Sequence, residues 1–301
     1  MSEEYETQKP ARRRRILLTG ASGGLGAALL RHLKPRHEVL GLCFRHPAEG
    51  LVALDLSEPG PIAKLARKFG PDLILHTVGL TDVDLCDRDL AKALDINTRS
   101  TLHVRLAAEA LDCKVVHIST NDVFDGGLGM YRETDIPLPV NMYSETKLMA
   151  EKMFYNYPAA LILRFTTLSW YASGKTTFAS WLVNSLRQGQ PVSLYTDQFN
   201  SPLYVATLAE WIEALFDAEG IYHLGSQRRS RWEAGMALAT ALGLDTRLIR
   251  PSSLQDAAVL APRPRDVSLD CSRVQADWGL ETAFESEIRR LVADLPEQLP
   301  L

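Results

Sequence analysis

The sequence predicts an α/β fold, a doubly wound parallel sheet with a smaller lobe toward the C-terminus. Three observations carry this expectation. Short apolar runs alternate with helical stretches through the first 165 residues, the pattern of successive βαβ units. The first apolar run passes directly into a glycine-rich turn and a helix, "RILLTGASGGLGAALLRHL". Beyond Phe165 the alternation loosens, and Pro, Trp and loop-like segments become common.

The elements follow in order. "RILLTG" reads as a strand and "GLGAALLRHL" as a helix; "EVLGLCF" is a strand and "PIAKLARKF" a helix. "LILHTV" is the next strand, followed by one long helical stretch from Asp89 to Leu111. "KVVHIST" is a strand, then comes a helix holding Tyr143 and Lys147, then the strand "ALILRF". Parallel strands joined by right-handed crossovers carry helices on both faces of the sheet. Residues 1–14 are expected to form a flexible tail and 15–165 a Rossmann-type, NADP-binding domain, to which strands and a helix from about 203–224 return. Residues 166–202 and 225–301 are expected to form the smaller, substrate-binding lobe.

The 301 residues are 46% hydrophobic and 23% charged with a net charge of -4, which gives no global pull toward nucleic acid or anionic membrane. No run approaches the roughly 18 apolar residues of a membrane span, and the first eleven residues are polar without an apolar signal region. Cys43, Cys86, Cys113 and Cys271 show neither CxxC pairing nor His-rich metal spacing, so they read as reduced thiols of a cytoplasmic protein with no metal site. The basic run Arg12–Arg15 reads as a solvated lead-in to the first strand.

Gly20, Gly23 and Gly26 stand directly after a strand and open a helix, with Ser22, Gly24 and Leu25 in the same turn. Glycine lets such a turn adopt φ > 0 and lets backbone approach a ligand. The helix N-terminus then offers free N–H groups and positive potential to a pyrophosphate. The second strand ends in Arg45 and His46 with no acid; a guanidinium there suits the 2′-phosphate of NADP, which a carboxylate would repel. Asp55 and Leu56, in "ALDLSE", read as adenine contacts. Thr77, Val78 and Gly79 stand at the end of "LILHTV" and just after it, where small residues let the cofactor approach.

"NMYSETKLMAE" places Tyr143 and Lys147 on one helix face, about 6 Å apart along the axis. A phenol beside an ammonium occurs by chance on many helices. Near a dinucleotide cradle the pair reads as chemistry.

Taken together, Gly20-x-x-Gly23-x-x-Gly26, "ISTNDVFDG" and Tyr143-x-x-x-Lys147 resemble the extended short-chain dehydrogenase/reductases, and most of all the dTDP-4-dehydrorhamnose reductase family. The sequence is also similar to the regulatory beta subunit of methionine adenosyltransferase, a member of the same family. Matching segments, among them "VFDGGLGMYRETDIPLPVNMYSETKLMAE" and "APRPRDVSLDCSRV", run from the first strand nearly to the C-terminus. The resemblance implies a catalytic triad of Thr120, Tyr143 and Lys147, with NADPH as hydride donor and the ketone of a nucleotide-activated 4-keto-6-deoxy sugar as acceptor. Tyr143 would be the general acid, and Lys147 would lower its pKa and bind the nicotinamide ribose. The family's usual Asp-Tyr after the Thr is Asn121-Asp122 here, and Ser144 replaces the usual Gly, which puts the substrate's identity in doubt.

Other readings stay open on the sequence. A nucleotide-sugar dehydratase would need an acid and a base after Thr120; Asp122 could be the base, but Asn121 has no acidic proton. A regulatory subunit keeps the same Tyr and Lys, so the triad does not discriminate. A nucleotide-sugar substrate needs donors outside the cofactor cradle. Asp122, Gln198, Ser201, Arg263 and Arg265 are the expected substrate contacts, the arginines because guanidinium forks match diphosphate oxygens. The expected partners are this substrate and a second copy of the chain.

Overall fold

A computed structural model of the chain describes residues 12–171, 176–257, 260–297 and 299. Most of the expected N-terminal tail, residues 1–11, lies outside the described residues. The first half runs β1 (Arg15–Thr19), α1 (Gly24–Leu33), β2 (Glu38–Cys43), β3 (Val52–Ala53), α2 (Pro59–Phe69), β4 (Leu73–His76), α3 (Val83–Arg88), α4 (Leu90–Ala93), α5 (Ser100–Glu109), β5 (Lys114–Ile118), α6 (Met142–Lys152) and β6 (Ala160–Arg164). The second half holds β7 (Thr166–Leu168), α7 (Phe178–Arg187), β8 (Val192–Tyr195), β9 (Phe199–Asn200), β10 (Pro202–Tyr204), α8 (Val205–Ala214), β11 (Gly220–His223), β12 (Arg229–Ser230), α9 (Arg231–Ala241), β13 (Ile249–Ser252), α10 (Ser272–Trp278) and α11 (Phe284–Ala293).

Seven strands form one parallel sheet in the order β11-β6-β5-β4-β1-β2-β3. The expected α/β, doubly wound fold is what the chain adopts. Alternate residues of β1 serve opposite faces. Ile16 and Leu18 join the core shared with α1 and α8, while Leu17 joins Ile74 and Val115 beneath α2 and α5. With both faces covered, β4 and β6 are buried at every residue, as expected for uninterrupted apolar strands. Chain order reverses between β1 and β4, and the crevice outside the carboxyl ends of these strands is where such sheets bind ligands.

After Arg164 the chain builds a further apolar cluster from α7, α9, α11 and short strand pairs, centred on Leu182, Leu194, Leu238, Phe284 and Leu291. Trp170 anchors it by donating Nε1–H to the Leu291 carbonyl at 2.7 Å. β11 lies at the edge of the main sheet beside β6, and α8 packs on α1. The Arg12–Arg15 run is paired more than a solvated lead-in requires. Arg12, Arg14 and Arg15 reach Asp72, Asp217 and Glu38. None of the four cysteines is in a disulfide, and among the described residues no helix is long and apolar enough to cross a membrane.

The expected unbroken helix from Asp89 to Leu111 is interrupted. A π-helical turn, Leu94–Arg99, separates α4 from α5. Asn97 sits in this wider turn. It accepts from the Leu80 N–H at 2.6 Å and donates to the Leu80 carbonyl at 3.2 Å and to Thr146 Oγ1 at 3.0 Å. One amide thus ties the loop after β4 to α6, beside Lys147. π-Turns inside helices recur at functional sites.

Candidate active site

The cradle is built by close backbone approach. Gly20 leaves β1 at φ +68, and a methyl on Gly26 would lie 2.0 Å from the Gly20 carbonyl oxygen. No side chain fits there, so α1 begins hard against the turn. The Gly23 N–H closes the turn on the Gly20 carbonyl at 2.9 Å. The first turn of α1 contains no acidic residue, and its N–H groups have no partners within the helix. A phosphate therefore fits this position, in a cleft of about 1130 Å³ lined by Gly20, Gly23, Gly24, Leu25 and Gly26. Ser22 lies in the turn but not on the cleft wall.

Arg45 and His46 line one end of the cleft at the close of β2, and Arg45 has no ion pair among the described residues. Asp55, also on the wall, is drawn into a local turn by Ser57, whose N–H and hydroxyl it accepts at 2.9 and 2.8 Å. The carbonyl of Leu56 accepts from His103 Nδ1 at 2.8 Å. Thr77 Oγ1 donates to the Thr19 carbonyl at 2.7 Å, closing the crevice between β1 and β4. Val78 and Gly79 continue the wall, and a methyl on Gly79 would lie 4.0 Å from Lys147 Nζ.

The strand end after β5 and the helix α6 meet across the cleft floor. Asn141 caps α6 by accepting from the Ser144 N–H at 2.9 Å, which fixes the rotation that turns Tyr143 and Lys147 inward. The two residues are only 7% and 4% exposed. Thr120 Oγ1 accepts from the Asp122 N–H at 3.2 Å, and its hydroxyl lies near enough to Tyr143 to act on the phenol. Lys147 Nζ donates to the Ile118 carbonyl at 2.6 Å, beneath the cleft wall. Thr120, Asp122 and Tyr143 line the cleft.

The electrostatics differ from the sequence expectation. Burial pushes the Tyr143 phenol up, the Asp122 carboxylate pushes the same way, and the Thr120 hydroxyl opposes. Lys147 was expected to lower it, but its ammonium is engaged by Ile118 and the charge acting on Tyr143 is that of Asp122. Tyr143 is thus held protonated, as a proton donor must be at the start of its step. Burial brings Lys147 down to about 8, opposed by Glu151. Asp122 is pushed up to about 6 by burial, opposed by Arg263.

Asn121 is committed to structure. Its Nδ2 donates to Asn200 Oδ1 at 2.7 Å and to the Val267 carbonyl at 2.9 Å. Of the expected substrate contacts from the second half, Gln198 and Arg263 line the cleft. Arg263 also donates to Asp84 at 2.9 Å and to the Ala261 carbonyl at 2.8 Å. Ser201 and Arg265 do not line it. Ser201 is buried and accepts the Leu269 N–H at 3.2 Å. Arg265 has a side chain 58% exposed, turned toward Asp197 at 3.9 Å. The residue missed is Arg231. It lines the cleft over the Phe178 ring at 4.4 Å, close enough to Arg263 for their charges to act on each other. Its only signal was the arginine-rich stretch "QRRSRW".

The probable low-salt glycan biosynthesis reductase Agl14 of Haloferax volcanii is 30% identical to the chain, covering 92% of it and 96% of its own length. Methionine adenosyltransferase 2 subunit beta of Bos taurus is 28% identical over 92% of this chain and 86% of its own. The dTDP-4-dehydrorhamnose reductase of Bacillus anthracis, solved in complex with NADP, shares the fold with a TM-score of 0.86 at 23% identity, covering 94% of this chain and 100% of that one. With residues 14–296 matched, the chain belongs to the RmlD substrate binding domain family, extended short-chain dehydrogenase/reductases that modify sugar nucleotides.

Proposed function

We propose that the protein is an NADPH-dependent reductase of a nucleotide-activated 4-keto-6-deoxy sugar. The observation that carries the reading is the meeting of Thr120 and Tyr143, with Lys147 beneath, in the same cleft as the glycine cradle. Bound NADPH would supply the hydride. Gly20, Gly23 and Gly26 with the N-terminus of α1 would hold its pyrophosphate, and Arg45 its 2′-phosphate.

The chain's own work is proton delivery and orientation. Thr120 holds the substrate carbonyl oxygen against the Tyr143 hydroxyl. As that oxygen gains charge, Tyr143 gives it the proton and becomes a phenolate, while the Lys147 ammonium holds the nicotinamide ribose. Arg231 and Arg263 face the diphosphate of the nucleotide sugar, and Gln198 and Asp122 meet its polar groups. A panel of nucleotide-linked 4-keto-6-deoxy sugars, screened by NADPH oxidation, tests the reading; turnover of none of them would refute it.

A second reading, a nucleotide-bound regulatory subunit, draws support from the nearly equal likeness to the methionine adenosyltransferase beta subunit. Co-purification with a methionine adenosyltransferase, without ketone-dependent NADPH oxidation, would favour it. A dehydratase is disfavoured because Asn121, the residue where an acid is needed, is a neutral amide spent on Asn200 and Val267.

A further inference from the structure

Three successive residues, the last of β5 and the two that follow it, each engage one residue of α6. Ile118 offers its carbonyl to Lys147, Ser119 donates its hydroxyl to Glu151, and the Thr120 hydroxyl acts on the Tyr143 phenol. Tyr143, Lys147 and Glu151 are spaced by four and so form one stripe of the helix. The first two belong to the proposed chemistry. Glu151 has no part in it, yet its side chain is fully buried.

A buried carboxylate must be compensated. Arg164, at the end of β6, does this with Nη2 to Oε2 at 2.6 Å and Nε to Oε1 at 3.0 Å. Arg164 is itself buried, lying over the Phe124 ring at 5.2 Å and beside His223 Nε2 at 3.4 Å. Tyr155 reaches Oε2 at 3.5 Å, and Glu133 acts on Arg164 from the far side. Replacing such a pair with apolar residues is often neutral or stabilising, so stability alone is a weak reason for its place beside the site.

We propose that Glu151 is a positioning residue of the active site: through Ser119 it fixes the strand end that carries Thr120, and it presents the negative charge that keeps Lys147 an ammonium. The inference rests on the reductase reading of the same site. The other titratable groups around Lys147 do not supply that charge. His76 on β4 and His117 on β5 are buried and held neutral, Tyr143 keeps its proton, and Asp122 acts on Tyr143. Removing the Glu151 charge lowers Lys147 further, so less of it is charged at neutral pH.

The test uses the full chain with Glu151→Gln, Ser119→Ala and the double variant Glu151→Gln/Arg164→Met, which removes the buried pair together and spares the fold an orphaned guanidinium. Lys147 is titrated by NMR of lysine-labelled protein, its signal assigned with Lys147→Met, and kcat for ketone-dependent NADPH oxidation is followed against pH. Both variants lacking the Glu151 charge should titrate Lys147 about one pH unit lower, and the alkaline limb of kcat should move down with it. Glu151→Asp should restore the limb. Ser119→Ala keeps the charge and should lower kcat several-fold with no shift in pH. An unmoved Lys147 midpoint in a folded variant overturns the proposal. So does loss of folding in both Glu151 variants, which would make Glu151 a stability residue only. A lowered midpoint in a protein that reduces no ketone would instead sink the reductase reading and leave the electrostatic role of Glu151 standing.

Discussion

Gly26→Ala adds one methyl at the tightest point of the cradle. That methyl would stand 2.0 Å from the Gly20 carbonyl oxygen, 2.8 Å from its carbon and 2.9 Å from Ala21 Cα. Ordinary contact begins at 3.4 Å, so the turn and α1 must separate by at least 1.4 Å. All three neighbours are backbone, so no side chain can swing aside. The turn is held by the Ala21 N–H on the Leu42 carbonyl at 2.8 Å, and α1 is held by its packing on α8. Overpacking of this kind costs about 1–3 kcal/mol, offset in part by roughly 0.5–1 kcal/mol of helix propensity gained on replacing glycine. Melting should therefore fall by only a few degrees. The loss of cofactor should be larger, because a misplacement of about 1 Å in a positioning element can cost on the order of 100-fold. Calorimetry should show NADPH affinity weakened by about 100-fold in a protein that still melts cooperatively. Gly60→Ala is the control, since a methyl there meets nothing within 4 Å. If Gly26→Ala binds NADPH within about twofold of the wild type, the cradle has been misread.

Further expectations follow from the same geometry. Arg45→Asp should weaken NADPH binding by roughly 10- to 150-fold, one charge-assisted contact, and relieve the bias against NADH; equal wild-type affinity for both cofactors by calorimetry would refute the role of Arg45. Arg231→Ala should raise the KM of a diphosphate-linked sugar by about 10-fold or more while NADPH affinity and the KM of small ketones stay unchanged; equal loss for both substrate types would point to a folding role. Burial holds His76 and His223 down at about 3 and His117 well below the usual imidazole range. Below pH ~6.5 the unfolded chain takes up these protons and the folded one does not, so stability falls with pH, by up to about 1.4 kcal/mol per unit for each histidine. His117 is stacked on His76 and tilted against Phe154, with neither ring nitrogen hydrogen-bonded among the described residues. His117→Phe should therefore raise the melting temperature, more at pH 5 than at pH 7.5; a lower melting temperature at pH 5 would show that the ring nitrogens are satisfied.

The parts of the site legible in the sequence are those set by local spacing. Gly20, Gly23 and Gly26 follow a strand and open a helix within seven residues, and Tyr143 and Lys147 share a face by helix period alone. Asn97 was not legible because an extra-wide turn inside an otherwise helical pattern leaves no mark on periodicity. Arg231 was missed because it reaches the cleft only through the pairing of β12 with β9 and the Gln198 carbonyl that receives its N–H. Ser201 and Arg265 have the right chemistry, in a stretch the family uses beside its substrate and in a proline-stiffened loop. In irregular chain between short strands, side-chain direction follows tertiary pairing, and the backbone bond from Phe199 N–H to the Arg265 carbonyl fixes that pairing here. The charge balance around Tyr143 was hidden for a similar reason, since the Ile118 carbonyl that engages Lys147 belongs to a strand 29 residues away.

The role of Tyr143 is tested most directly by Tyr143→Phe, assayed for NADPH oxidation with a nucleotide-linked 4-keto-6-deoxy sugar that the wild type turns over, with NADPH affinity measured on the same sample. The ring, its packing and the neighbouring Thr120 and Lys147 remain, and only the acidic proton is gone. The account predicts loss of reduction by at least about 100-fold, the lower range for general acid catalysis, with cofactor binding nearly intact. A Tyr143→Phe protein that reduces the sugar at the wild-type rate would remove Tyr143 from the mechanism and contradict the account at its centre.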